Sequence, residues 1–173
     1  TRLSRFVADS FAGSRFLSIN ATLMLAGFAL TMALMMIDSR TLIGANVWHK
    51  PAKFFFSLSM QMATVAWALS LVPESVRHQR SVQWASVAMA TASWLELAYI
   101  VFRASRGEAS HFNMASVFSE VAYTLMGMGA FILTAAAGWV GVVIWRNRDG
   151  RLWREAAGIG LVLGAALGTF AGF

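Results

Sequence analysis

Cysteine is missing altogether from this 173-residue chain. That removes disulfides, thiolate metal sites and cysteine nucleophiles from consideration. Charge is scarce as well: Asp, Glu, Lys and Arg together make up 13% of the residues, where a soluble globular domain has about 25%. Apolar types fill 58%, above the usual ~45–50%. This balance excludes an ordinary soluble enzyme and a disordered chain. Acidic residues are the scarcer charge, eight against fourteen basic, for a net charge of +6. The basic excess does not point to nucleic acid. The arginines are not gathered with stacking aromatics on a polar face but stand between long apolar runs, which is a membrane pattern.

A membrane-crossing helix needs about 20 apolar residues, with a range of about 17–25. Five runs meet this, at residues 16–37, 54–72, 82–102, 117–144 and 156–173. The fourth is long enough to require tilt or an extension beyond the hydrocarbon. The fifth is still apolar at Phe173, with no polar residue closing it, which leaves open a trimmed end or a further part of the protein. No small-x-small cleavage site follows the first run, which is also too long for the core of a cleaved leader. The expected fold is therefore all-α: residues 1–173 form a single transmembrane helical domain, a polytopic bundle of about five spans. Ahead of it, Leu3, Phe6, Val7 and Phe11 share one face of an amphipathic segment suited to the bilayer surface. Of the two prolines, Pro51 suits the first turn of the second helix and Pro73 its end.

Nine of the fourteen Lys and Arg residues lie in the N-terminus, the 73–81 loop and the 145–155 loop. The positive-inside rule places those segments in the cytoplasm, of a bacterial cytoplasmic (inner) membrane. On the fifth helix Gly160, Gly164, Gly168 and Gly172 recur every four residues, a stripe that lets another helix approach closely, in the same chain or in a partner. Close packing within the chain is the simpler expectation.

Two glutamates interrupt the apolar runs, although a central acidic residue costs about 2.5–3.5 kcal/mol on insertion scales. Glu96 is six residues from the end of its run, roughly 9 Å deep, and Glu120 three residues in, about 4.5 Å. The chain has only two tyrosines, and each follows one of these glutamates by three residues, in Glu96-Leu-Ala-Tyr99 and Glu120-Val-Ala-Tyr123. On antiparallel helices the depths cross, so Glu96 comes level with Tyr123 and Glu120 with Tyr99. Such pairs would satisfy four polar groups in hydrocarbon. They serve either as interhelical glue or as a proton, ion or substrate site, the usual role of intramembrane carboxylates. Ser57, Gln61 and Thr64 on the second helix, and Ser93, Glu96, Tyr99 and Arg103 on the third, form polar stripes that a bundle would turn inward.

The outer loops hold most of the remaining chemistry. Lys50, Lys53, Arg103 and Arg106 suit an anionic group, whether a bound ligand or lipid phosphate. His49 and His111, with Glu108 in Glu108-Ala-Ser-His111, are the candidate ligands for a divalent metal, and the two histidines for a haem. The ten methionines are expected to be adaptable packing.

Three functions stay open on these residues. The first is an outward-facing polar pocket that binds a proton, cation or small solute for transport or sensing. In it Glu96 and Glu120 carry charge, Tyr99 and Tyr123 orient them, Lys53 and Arg103 hold charge nearby, and Gln61 lines the polar interior. The second is a membrane-embedded enzyme on a lipid or quinone-like substrate, using His and Glu as acid–base or metal groups. The third is an accessory subunit of a larger complex. The expected partners are the lipid bilayer, a small ligand or ion, and a helix docked on the glycine stripe; nucleic acid is not among them.

Overall fold

The computed structural model describes residues 2–109, 117–147 and 149–172. Helices cover each of the five apolar runs. In chain order the elements are α1 (Arg2–Gly13), α2 (Arg15–Ile37), β1 (Thr41–Leu42), β2 (Ala45–Asn46), α3 (His49–Ser70), α4 (Glu74–Arg77), α5 (Arg80–Ser105), α6 (Val117–Arg146) and α7 (Leu152–Gly172). Among the described residues, three helical stretches are long and apolar enough to cross a membrane: Arg15–Ile37, Arg80–Ser105 and Thr124–Arg146.

Outside that set, α3 has a physical reason to carry polar residues. α3 is the central helix of the bundle and meets α1, α2, α5, α6 and α7. Its surroundings are largely protein, so it tolerates Ser57, Ser59, Gln61 and Thr64 along its length. Ser59, for instance, is buried and donates to the Ala21 carbonyl at 2.8 Å. α7 opens on Arg154 and Glu155 before its apolar stretch begins.

The break between α1 and α2 falls at Ser14, whose backbone is extended and whose hydroxyl accepts from the Leu17 N–H at 3.3 Å. This is an N-cap that satisfies one of the open amides of α2. α1 folds back on the far end of α3. A Cβ added at Gly13 would sit 1.9 Å from the Ala66 carbonyl oxygen, so only glycine permits this approach. Phe6 lies against Trp67 with ring centroids 6.3 Å apart, and Arg77 donates to the Ala12 carbonyl. The expected apolar face of α1 therefore divides. Phe6 leans on α3, while Leu3, Val7 and Phe11 stay exposed.

The packing gathers into two halves. α1 and α2 pack chiefly on α3, and α7 packs chiefly on α6, which in turn packs on α5. In the first half the Phe55 ring presses on Gly27, where a Cβ would come within 2.4 Å of it. In the second, Gly141 and Gly158 face each other: a Cβ on Gly141 would meet the Gly158 carbonyl oxygen at 2.7 Å, and one on Gly158 the Gly141 oxygen at 3.0 Å. The expectation that the α7 stripe makes the close packing within the chain is thus corrected. Added Cβ atoms at Gly160 and Gly164 would meet nothing within 4 Å, and one at Gly168 only the Thr134 methyl at 3.9 Å. The helices approach one register away, on the face that carries Gly158. A core of fully buried side chains, among them Met24, Met62, Leu69, Met89, Leu97, Val140 and Ile144, runs through both halves.

Between α2 and α3 the chain forms a small hairpin that was expected only as a loop. Thr41 pairs with Asn46 and Leu42 with Ala45. Ile43 (φ 51°) and Gly44 (φ 77°) both have positive φ, the requirement of the tight two-residue turn that matches strand twist. Asp38 ties the hairpin's base together. Its carboxylate accepts from the Trp48 indole at 2.7 Å and from the Arg40 guanidinium at 2.7 Å. Arg40 also donates to the Ser105 carbonyl at 3.0 Å, joining the hairpin to the end of α5.

Candidate functional site

Glu96 is the buried acid of this protein, with 9% of its surface exposed. It lies nine residues before the end of α5, about 14 Å along the helix axis. Lys50, in the first turn of α3, is the cation that acts on it electrostatically, from beyond ion-pair contact. Lys50 is half-buried, and its ammonium also lies 5.8 Å from the Phe54 ring centroid. Pro51 follows it in the helix's first turn and needs no N–H partner there.

Above the pair is a pocket of about 300 Å³ under the hairpin. Asn46, His49, Lys50 and Glu108 supply its polar wall, and Leu42, Pro51, Ile100 and Ala104 its apolar wall. Arg103 forms part of the frame rather than the partner of Glu96. It is 6% exposed, binds Glu108 at 2.8 Å, donates to the Ala109 carbonyl at 3.1 Å and lies 6.0 Å from the Tyr99 ring centroid. Arg106 takes the other Glu108 oxygen at 3.0 Å. With both oxygens engaged by guanidinium groups, Glu108 is poorly placed to ligate a metal. Among the described residues, no three His, Asp or Glu side chains gather into a metal site. His111 lies outside the described residues.

The other sequence candidates are dispersed. Lys53 is exposed, turned away from Glu96 although it is nearer in sequence to the apolar run. Glu120 is exposed, and its backbone carbonyl accepts from the Thr124 hydroxyl at 3.1 Å. Tyr99 is half-buried on the same helix as Glu96. The side chain of Tyr123 lies outside the described residues, and with it the crossed Glu–Tyr arrangement. Gln61 belongs to a different recess, a cleft of about 330 Å³ between α3, α6 and α7, with Thr64, Thr134, Gly160, Gly164 and Gly168. Lys50 is the residue that sequence reasoning undervalued. Its signal was Pro51, which marks the helix start and so places Lys50 inside the first turn rather than in the loop.

At the outer edge the Asp38 carboxyl is held well below the usual carboxylate range, first by the Arg40 guanidinium and then by the Trp48 indole. Arg40 is correspondingly raised by Asp38.

No protein-family model matches the chain, and neither a curated protein nor a solved structure does. The function therefore rests on this geometry. A buried carboxylate and a half-buried ammonium within electrostatic reach but not in contact can hold a small polar solute between them.

Proposed function

We propose that this chain is a multi-pass protein of a bacterial cytoplasmic membrane, with five crossing helices and a cytoplasmic N-terminus. Its outward-facing pocket binds a proton, cation or small solute for transport or sensing. The observation that carries this reading is Glu96, an acid buried on α5 one turn below Ile100, with Lys50 of the hairpin-end pocket within electrostatic reach of it. Ionisable groups at such depth are costly and face functional pathways by default. The topology is supported by the basic residues at the end that carries α1 and α4. It is supported too by the exposed Leu3, Val7 and Phe11 of α1, which suit a helix lying at the inner interface.

Two other readings have an observation each. His49 in the same pocket as Lys50 favours a membrane-embedded enzyme with an acid–base group. The glycine stripe lining an open cleft favours an accessory subunit that receives a partner helix.

The test is proton entry into proteoliposomes loaded with a pH-sensitive dye, after an external acid pulse. Wild-type protein is expected to admit protons faster than empty vesicles, Glu96→Gln to abolish the difference and Glu120→Gln to retain most of it. Entry through Glu96→Gln at the wild-type rate would remove Glu96 from the pathway.

A further inference from the structure

Glu96 borders a second, larger recess on its other side. A groove of about 670 Å³ opens laterally between α5 and α6. It follows α5 from Trp84 to Tyr99, fifteen residues or about 22 Å. Its walls are apolar apart from Thr91 until it reaches Glu96 and Tyr99 at one end. Leu95, Leu125 and Met128 along it are exposed by 68%, 60% and 57%, and among the described residues no other element covers them.

We infer that this groove holds one membrane-borne amphiphile: a long isoprenoid-type chain carrying a quinone-like head that sits against Glu96 and Tyr99. Three features select it over an ordinary annular phospholipid. The first is length. One leaflet of hydrocarbon is about 15 Å deep, half of the ~30 Å core, so a phospholipid chain ends near the midplane, short of a 22 Å groove. The second is the depth of the polar end. Glu96 lies roughly 9 Å inside the apolar run of α5, where a phosphate head would lose much of its water, whereas a quinone carbonyl needs only a hydrogen-bond donor. The Tyr99 hydroxyl is such a donor, and Glu96 becomes one when protonated. Lys50 on the far side balances the carboxylate, so the head need not be cationic. The third is the wall. Met126 and Met128 adapt to irregular shapes, and Gly129 leaves an open notch in the lining, with nothing within 4 Å of an added Cβ. Both suit a methyl-branched chain better than a straight one.

This inference rests on the membrane placement proposed above, but not on passage of a solute through the outward pocket. The test uses the full chain in lipid nanodiscs and a polyprenyl benzoquinone with a photoreactive diazirine beside the ring. A phosphatidylcholine carrying the same diazirine is the comparison. The quinone probe is expected to label α5 and α6 around Leu95, Tyr99 and Leu125. Gly129→Trp fills the notch and should lower that labelling about tenfold, the effect of ~1.4 kcal/mol in binding. Gly127→Trp has equally open surroundings but lies outside the groove lining, and should leave labelling unchanged. Equal labelling of wild type and Gly129→Trp would overturn the inference, and so would equally strong labelling of the same residues by the phosphatidylcholine probe. The acid-pulse assay separates the two readings. Proton entry lost with labelling intact sinks the transport reading alone, and labelling lost with proton entry intact sinks this one alone.

Discussion

The charge pair between α3 and α5 makes a sharp quantitative prediction. Removing one partner of a buried ion pair costs about 3–5 kcal/mol, because the other charge is left unpaired. That range is an upper limit for losing Lys50, which acts from beyond ion-pair contact on a carboxylate only 9% exposed. Lys50 itself is half-buried beside the outward pocket. Its long stem can carry the ammonium to water when Glu96 is neutralised, so screening reduces the cost on that side to about 1 kcal/mol. Lys50→Met is therefore expected to cost about 2–4 kcal/mol and Glu96→Gln about 1 kcal/mol. In the double variant neither charge remains to be stranded, so its cost should fall below the sum of the two by about 1–3 kcal/mol. The assay is equilibrium unfolding of the four proteins in mixed micelles of lipid and detergent, followed by helix ellipticity. Strict additivity, or a Glu96→Gln variant less stable than Lys50→Met, would refute the pairing as described.

The glycines should separate by their surroundings. Gly158→Ala places a Cβ 2.9 Å from the Trp145 backbone nitrogen and should lower the thermal midpoint. Gly160→Ala meets nothing within 4 Å and should raise it slightly, by the ~0.5–1 kcal/mol that alanine gains over glycine in a helix. Asp38 has a depressed pKa in the folded hairpin, held down chiefly by Arg40. Its contribution to stability is fully present above the unfolded value near 3.8 and is lost as pH falls below it. Trp48 fluorescence should accordingly report loosening of the hairpin in strong acid, and Asp38→Asn should show the loosened signal already at neutral pH. Because the native chain contains no cysteine, single cysteines at Ala45 and Ser75 can test the topology. Impermeant thiol reagents are expected to reach Ala45→Cys from outside intact cells and Ser75→Cys only after the membrane is opened.

How much of this was legible in the sequence varied with the range of the interaction. Helix positions follow from the apolar runs, because a long uninterrupted stretch has few other ways to satisfy its backbone. Ser14 as a helix cap and Pro51 as a helix start are likewise local chemistry. The burial of Glu96 was legible too, since its depth is set by counting residues within one helix. Its partner was not. Lys50 and Lys53 are three residues apart, and which one faces α5 depends on the rotation of α3, fixed by the distant packing of Phe55, Leu58 and Met62. The glycines show the same limit. A period of four marked Gly160, Gly164 and Gly168, yet the contact with α6 is made at Gly158, opposite a glycine on another helix that no periodicity within α7 could identify. The hairpin escaped notice because Ile43 is a poor sequence signal for a positive-φ turn.

The division of the bundle into two halves has a mechanical consequence. Each half is locked by backbone-close contacts, through Gly13 and Gly27 on one side and Gly141 with Gly158 on the other. The Lys50–Glu96 pair instead spans the seam between them. The attraction between unit charges falls from about 4 kcal/mol at 4 Å to about 2 kcal/mol at 8 Å for an effective dielectric constant of about 20. A slip of one half past the other by a few ångströms would thus register in this distance and in the Arg40–Ser105 and Trp94–Asn20 hydrogen bonds that cross the same seam. The pair lies across the seam between the two halves, so a ligand bound beside it would bear on how the halves meet.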